Sequence, residues 1–512
     1  MNNGLRSNSA WLVAAGLLIL SLGLFTGCNE ITDVPASSPI PTTPAEFLPT
    51  ATVPVTDTPQ PTPTAEILLT PTPEPLARPQ YQLSANLDYS SHLLDVQQVI
   101  LVPHPADGPL QGIDLIVPAN SWWGVFSIQD INTREIPLES YQLEGVKLSL
   151  VLGDSGWQPG KVLTLDIHYT LDLPLQNDRP GYGPSPFGYT NWQTNLVDWY
   201  PMVPPYQKGV GWLIHDPWIF GEYLVYPAAD FEVSLTLTRS DLIVAASAPS
   251  ISTGDTLQYS LQSARNFVFS ISPNYHFLET NLGDVTIYGY FFPVYQVPSQ
   301  AAFDATIQAL ALYQELYGPY DQSSLTMVQA DFNHGMEYEG LYFLSKAFFD
   351  LYNDNGTEKS YLISIAVHET AHQWWYGGVA NDQALEPWLD EALCTFSELA
   401  FYESQYPESV DWWWNTRINY YQPSGRIDRS IYGFQEYVDQ YLNYRNATYL
   451  QGAKFMAALK DEMGEEDFYL FLREYGVRYK DQIAGREDFF NLLSEYLNWN
   501  ELPWLGEYFL FE

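Results

Sequence analysis

The stretch YLISIAVHETAHQWWY, Tyr361 to Tyr376, decides how this chain is read. It contains no Pro or Gly, sets Ile365, His368, His372 and Trp375 along one side at helical spacing, and stops at Gly377-Gly378. The pattern predicts a helix over 361–376 with a glycine C-cap. Histidines at i and i+4 share one face of a helix and can close on a single ion, while Glu369 sits about a quarter-turn round the axis, where it can take a proton from water. With eighteen residues between, His372 is followed by Glu391, in Glu386-Pro387-Trp388-Leu389-Asp390-Glu391. Pro suits a first helical turn, so Glu391 is expected on a second, packed helix facing the two histidines. His368, His372 and Glu391 are thus the candidate zinc ligands, one ion per chain, and Glu369 is the candidate general base of a zinc hydrolase. Glu398, seven residues after Glu391 on the same face, is a candidate to orient a ligand histidine.

Two further motifs flank this one, His334-Gly335-Met336-Glu337-Tyr338 upstream and Tyr449-Leu450-Gln451-Gly452-Ala453 downstream. In this order the three resemble the gluzincin aminopeptidases of the aminopeptidase N and leukotriene hydrolase family. The likeness covers roughly 310–458, with weaker echoes in Trp199-Tyr200-Pro201 and Asp230-Phe231-Glu232-Val233. The resemblance implies an N-terminal all-β, saddle-like domain followed by a thermolysin-like, mainly helical zinc peptidase domain, an α+β multidomain fold. It also implies that Gly335, Met336 and Glu337 lie on the strand lining the substrate cleft, with Glu337 binding the free amino group of a peptide. Tyr449 then stabilises the oxyanion, and Gln193 matches a second amine-binding residue. His334 and Gly335 replace Gly-Ala, Tyr338 replaces Asn and Gln451 replaces Lys, which implies a narrower or differently chosen substrate. By the same resemblance the chain stops before the large C-terminal helical domain that many members carry, which implies an open site.

Composition frames this core. With 512 residues, 46% hydrophobic and 15% aromatic, the chain is long enough for two or three packed domains. Its formal charge of -40, from 61 acidic against 21 basic residues, argues against nucleic acid as a partner. Residues 1–27 read as a signal peptide, with Arg6 at its start and an apolar run from Trp11 to Phe25. Phe25-Thr26-Gly27-Cys28 resembles a bacterial lipoprotein processing site, predicting an exported protein anchored to a membrane through a lipidated Cys28; an ordinary cleaved signal or an uncleaved anchor are the alternatives. Residues 28–79, rich in Pro, Thr, Ala and Ser, read as a tether.

From 80 to 295 the pattern is β-rich: Leu163, Leu165, Ile167, Tyr169, Leu171 and Leu173 alternate with polar neighbours, as do Phe231, Val233, Leu235 and Leu237. From 296 to 512 the helical period takes over in Ala301–Leu316, Gly452–Gly464 and Glu466–Tyr475. His92, His104, His168, His215 and His276 have no ligand spacing, and Cys394 reads as a small core residue. Trp412-Trp413-Trp414 reads as packing rather than as a carbohydrate platform. The expected activity is removal of N-terminal residues from peptides at the cell surface. The alternatives are a zinc endopeptidase or other zinc hydrolase that needs no free N-terminus, and a surface binding protein on the same fold.

Overall fold

The computed structural model describes residues 76–176, 185–252, 254–352, 357–436 and 438–511. The signal peptide, Cys28 and nearly all of the tether lie outside them. Among the described residues no helix is long and apolar enough to cross a membrane.

The alternating segments form a six-stranded sheet in the order Thr256–Ala264, Ala229–Leu237, Gln80–Asp88, Leu93–Pro103, Val162–Asp172 and Phe126–Thr133. Only the pairing of Gln80–Asp88 with Ala229–Leu237 is parallel. The period of two turns Leu163, Leu165, Ile167, Tyr169 and Leu171 inward, each at most 1% exposed. Full burial of each such side chain contributes about 1.5–3 kcal/mol. A four-stranded, a three-stranded and a two-stranded sheet complete this β half.

The second half is built on a mixed five-stranded sheet: His276–Leu282, Val285–Phe291, Ser324–Ala330, Leu341–Ser345 and Met336–Tyr338. Two of its strands precede residue 296. Val285–Phe291 pairs in parallel with Ser324–Ala330, so hydrogen bonding carries 276–291 into the sheet that bears the Met336–Tyr338 strand.

Against this sheet pack the helix Gln296–Tyr317 and the histidine helix Tyr361–Ala371, and the glutamate helix Trp388–Gln405 packs on those two helices. Ser360 caps the histidine helix by accepting from Ile363 N. The helix ends at Ala371, five residues earlier than the pattern predicts. Beyond it the chain opens into wide turns in which Gly377 N, Gly378 N and Val379 N donate to His372 O, Gln373 O and Trp374 O. A Cβ on Gly377 would lie 2.8 Å from Gln373 O, so glycine is needed there for close backbone approach rather than as a helix cap. Tyr313, behind the histidines, donates its buried hydroxyl to Val367 O and Ser397 O and so fixes the two ligand-bearing helices to each other.

Arg265, at the end of the Thr256–Ala264 strand, joins the two halves. Its buried guanidinium donates to the carbonyls of Tyr226, Gly377, Gly378, Asp481 and Gln482.

Candidate active site

His368 and His372, on successive turns, bring their Nε2 atoms to 3.2 Å of each other. Glu391 Oε2 lies 3.2 Å from the first and 3.7 Å from the second. All three side chains are buried, and their ligand atoms fall within 4.8 Å of one another. The far nitrogen of each ring is already engaged: His368 Nδ1 is 3.1 Å from Glu398 Oε1, and His372 Nδ1 is 3.1 Å from Trp375 O. Burial pushes both imidazoles down to about 4, so at neutral pH each is uncharged and its one proton belongs on Nδ1. Two nitrogen lone pairs then converge with an oxygen of Glu391, whose carboxyl is raised well above its usual range by burial and by the charge of Asp390. Such a set of acceptors repels itself unless a cation lies among them, and two imidazoles with one carboxylate suit zinc. Glu391 and Asp390 occupy the first turn of the glutamate helix, where the helix dipole favours negative charge.

Glu398 is fully buried and receives four N–H groups. Oε1 accepts from His368 and from Arg417 Nη2 at 2.8 Å; Oε2 accepts from Trp413 Nε1 at 3.0 Å and Arg417 Nε at 2.9 Å. Burial alone would raise its carboxyl, but Arg417 and His368 outweigh it and hold it below the usual range. Trp413 is buried, in keeping with a packing role for that tryptophan run.

Glu369 Oε2 is buried and has no hydrogen-bond partner among the described residues. Burial and the charges of Glu337, Glu222 and Glu398 raise its pKa, which favours a proton acceptor of increased basicity. Gly335 lies directly against it: a Cβ there would collide with Glu369 Oε1 and with Ile365. Met336 and Glu337 follow on the cleft strand. Gln383 Nε2 donates to Glu337 Oε1 at 3.0 Å and to Asp390 Oδ2 at 2.9 Å, linking the strand to the glutamate helix. Burial raises Glu337 and lifts Asp390 to about 8.

These groups share one cavity of about 410 Å³, whose wall includes Gly335, Met336, Glu337, His368, Glu369, His372, Glu391 and Tyr449. His334 also lines it, its ring 6.0 Å from that of Tyr441. Tyr449 donates to Glu391 Oε1 at 2.5 Å, and burial followed by the Glu391 charge keeps its phenol protonated.

Gln193 is not brought to this cavity. It is fully buried; its amide nitrogen donates to Asn195 Oδ1 and Ser270 Oγ, and its oxygen accepts from Asp331 N. With both ends engaged in the packing of the β half, it has nothing left for a substrate amine. Several residues of the β half do line the cavity, among them Asp198 and Glu222. Burial, Glu337 and Asp390 raise the pKa of Glu222. The sequence motifs did not single it out. Its one local signal is Gly221, whose φ of +70° seats the chain against Ile431 and Tyr444.

Residues 301–507, which hold every member of this cluster outside the β half, match the peptidase family M1 domain. This part of the chain is an M1 domain. Among similar proteins, endoplasmic reticulum aminopeptidase 2 of Homo sapiens is 26% identical over 209 residues, 38% of this chain and 21% of the human protein. Aminopeptidase M1-D of Oryza sativa subsp. japonica is 27% identical over 211 residues, 38% of this chain and 23% of the rice protein. The chain therefore spans about a fifth of the length of these curated relatives. Beyond the M1 domain itself, the likeness extends over both halves in solved structures. The M1 zinc metallopeptidase from Deinococcus radiodurans superposes with a TM-score of 0.56 at 18% identity, covering 82% of this chain and 90% of that one. A structure of that protein's mutant bound to a Tyr-Ser-Ala substrate gives 0.56 at 17% identity, covering 82% and 91%. The β half followed by a helical M1 domain is the architecture of these neighbours.

Proposed function

We propose that this protein is a zinc-dependent aminopeptidase acting on peptides. The observation that carries the reading is that Glu337 lies against the candidate ligand set: its carboxylate, His372 and Asp390 have ligand atoms within 4.8 Å of one another, and Glu222 lines the same cavity. A cationic amino terminus is the group that two such partly desolvated carboxylates attract, and an anchored terminus sets the first peptide bond at a fixed distance from the histidines. A zinc ion held by His368, His372 and Glu391 would supply Lewis acidity and lower the pKa of water. Glu369 takes the proton from the attacking water and returns it to the departing amine. Tyr449, a protonated phenol beside Glu391, turns its hydroxyl to the developing oxyanion. The peptide-bound Deinococcus neighbour supports the substrate class.

The test compares a free peptide with its N-acetylated form. The free form should be cut roughly tenfold to a hundredfold faster, the effect of one charge-assisted contact of about 1.5–3 kcal/mol. Glu337→Ala should remove the difference by slowing the free form. Equal rates for both peptides in the parent would reject the aminopeptidase reading in favour of an endopeptidase. Glu369→Gln should keep zinc and fold while losing most turnover; full activity would rule it out as the base.

The protein is further proposed to be exported and membrane-anchored through Cys28, on the strength of Phe25-Thr26-Gly27-Cys28. Fatty-acid labelling that disappears in Cys28→Ser supports this, and labelling unchanged in that variant refutes it.

A further inference from the structure

Tyr376, four residues beyond the candidate ligand His372, has a backbone φ of +146°. Among the described residues the other non-glycine positions with positive φ lie between 49° and 61°, in the left-handed helical region. Tyr376 lies outside that region, where a bulky side chain is costly. Two glycines follow at once, and neither of them takes a positive φ. A turn that glycine makes freely thus falls on the tyrosine before them, and the surrounding structure has to impose it.

The phenol is held from the β half. Tyr376 is 2% exposed, its ring meets that of Tyr226 edge-on at 5.8 Å, and its hydroxyl oxygen accepts from Asn266 Nδ2. Asn266 is itself buried, and its side-chain oxygen accepts from Glu339 N at 3.1 Å, so its amide cannot turn without losing a bond. The preceding residue, Arg265, donates to Gly377 O at 2.9 Å and to Gly378 O at 3.1 Å. Arg265 and Asn266 together grip three consecutive residues, the side chain of one and the carbonyls of the next two.

The φ angle sets the preceding peptide plane against the side chain, and that peptide carries Trp375 O. This oxygen is the acceptor for His372 Nδ1 at 3.1 Å. With the phenol fixed, an ordinary φ between about −60° and −160° turns the carbonyl by roughly 50° or more and takes it away from the imidazole. His372, buried, then has no partner on Nδ1. That partner keeps the proton on Nδ1 and leaves Nε2 bare for a metal. His368 needs no such device, because the Glu398 carboxylate reaches it from the glutamate helix.

We infer that Tyr376 is the positioning residue for His372. The β half supplies no candidate zinc ligand, yet it sets the angle of one ligand ring by gripping a tyrosine whose strained backbone aims the Trp375 carbonyl at it. Tyr376 acts through that carbonyl alone. The inference rests on His372 as a zinc ligand.

The test uses the full chain with Tyr376→Gly and Tyr376→Phe and has two readouts. One is zinc affinity, by competition with a chelator; the other is the ring-nitrogen NMR spectrum of the metal-free protein at neutral pH, which tells a protonated imidazole nitrogen from a bare one. Glycine is free of strain at this φ but gives Asn266 nothing to hold, so Tyr376→Gly should bind zinc roughly tenfold to a hundredfold more weakly. Tyr376→Phe keeps the ring and loses one neutral hydrogen bond, so its loss should be roughly twofold to tenfold. In both variants His372 should lose its preference for a proton on Nδ1 while His368 keeps its own. If Tyr376 merely fills space, Tyr376→Gly relieves the strain and zinc affinity stays within about twofold of the parent, which overturns the inference. Loss of the preference at both histidines is a general loosening of the site and overturns it as well. Should Tyr376→Gly fail to fold by circular dichroism, Tyr376→Phe decides by the same readouts: zinc affinity of the parent with His372 still protonated on Nδ1 refutes the role. A parent that binds no zinc removes the ligand assignment, and the ring-nitrogen comparison on the metal-free chain still decides whether Tyr376 orients His372.

Discussion

Replacing Glu398 with Gln changes one atom, yet the structure makes the substitution expensive. Four N–H groups point at two carboxylate oxygens, two at each: His368 and one arm of Arg417 at Oε1, Trp413 and the other arm at Oε2. Whichever way the amide turns, its NH2 meets two donors, and the buried Arg417 loses its counter-charge. Breaking a buried pair in this way costs about 3–5 kcal/mol. Loss of the partner that orients His368 should weaken zinc binding roughly tenfold to a hundredfold. The two effects separate cleanly in urea unfolding of the metal-free protein and in zinc competition against a chelator. Glu398→Gln with Arg417→Met should cost less than the sum of the single changes, because the stranded cation is gone. The Glu398 carboxyl is held below its ordinary value of 4.5, so its contribution is complete above that pH and is lost as pH falls further. The deficit of the variant should therefore shrink in acid. A variant within about 0.5 kcal/mol of the parent, with unchanged zinc affinity, would refute this account of the network.

Changing His368, His372 or Glu391 to Ala should each abolish stoichiometric zinc by elemental analysis, because the three-ligand set is reduced to two. Gly335→Ala should retain zinc yet lower kcat about a hundredfold, since its methyl group displaces the Glu369 carboxylate; kinetics within twofold of the parent would contradict the collision. Glu339, buried beside Arg265, is raised from 4.5 to about 7, chiefly by burial. Its contribution is therefore present below 4.5 and lost as pH rises through about 7. Glu339→Gln cannot ionise and should gain about 3 kcal/mol on the parent between pH 4.5 and 8, read by urea titration at each pH.

What was legible in the sequence was what repeats at short range. Two histidines four apart on one helix, and a glutamate on the next, define their geometry locally, and alternation marks strands whose one face is buried. Glu398 could be named because it shares a face with Glu391. The end of the histidine helix was misjudged because both glycines serve close backbone contacts made by wide turns, a tertiary demand that mimics a cap signal. Gln193 and Glu222 mark the other limit. Both come from irregular connections of the β half, where no periodicity says which side chain turns to the cavity, and Gln193 was taken up by Asn195, Ser270 and Asp331 instead.

The strands His276–Leu282 and Val285–Phe291 give the half that holds the candidate site a border that differs from the one its sequence motifs suggest. A fragment beginning at residue 296 would retain every ligand and the base, but it would strip the partner from Ser324–Ala330, a strand buried at all seven positions. That strand would then present an unpaired, apolar edge able to recruit strands from other molecules. Arg265 would go too, leaving the carbonyls of Gly377, Gly378, Asp481 and Gln482 to find water. Minimal versions of this protein made by cutting at the motif border would be prone to aggregate, and soluble ones would need to start upstream of the Arg265 strand.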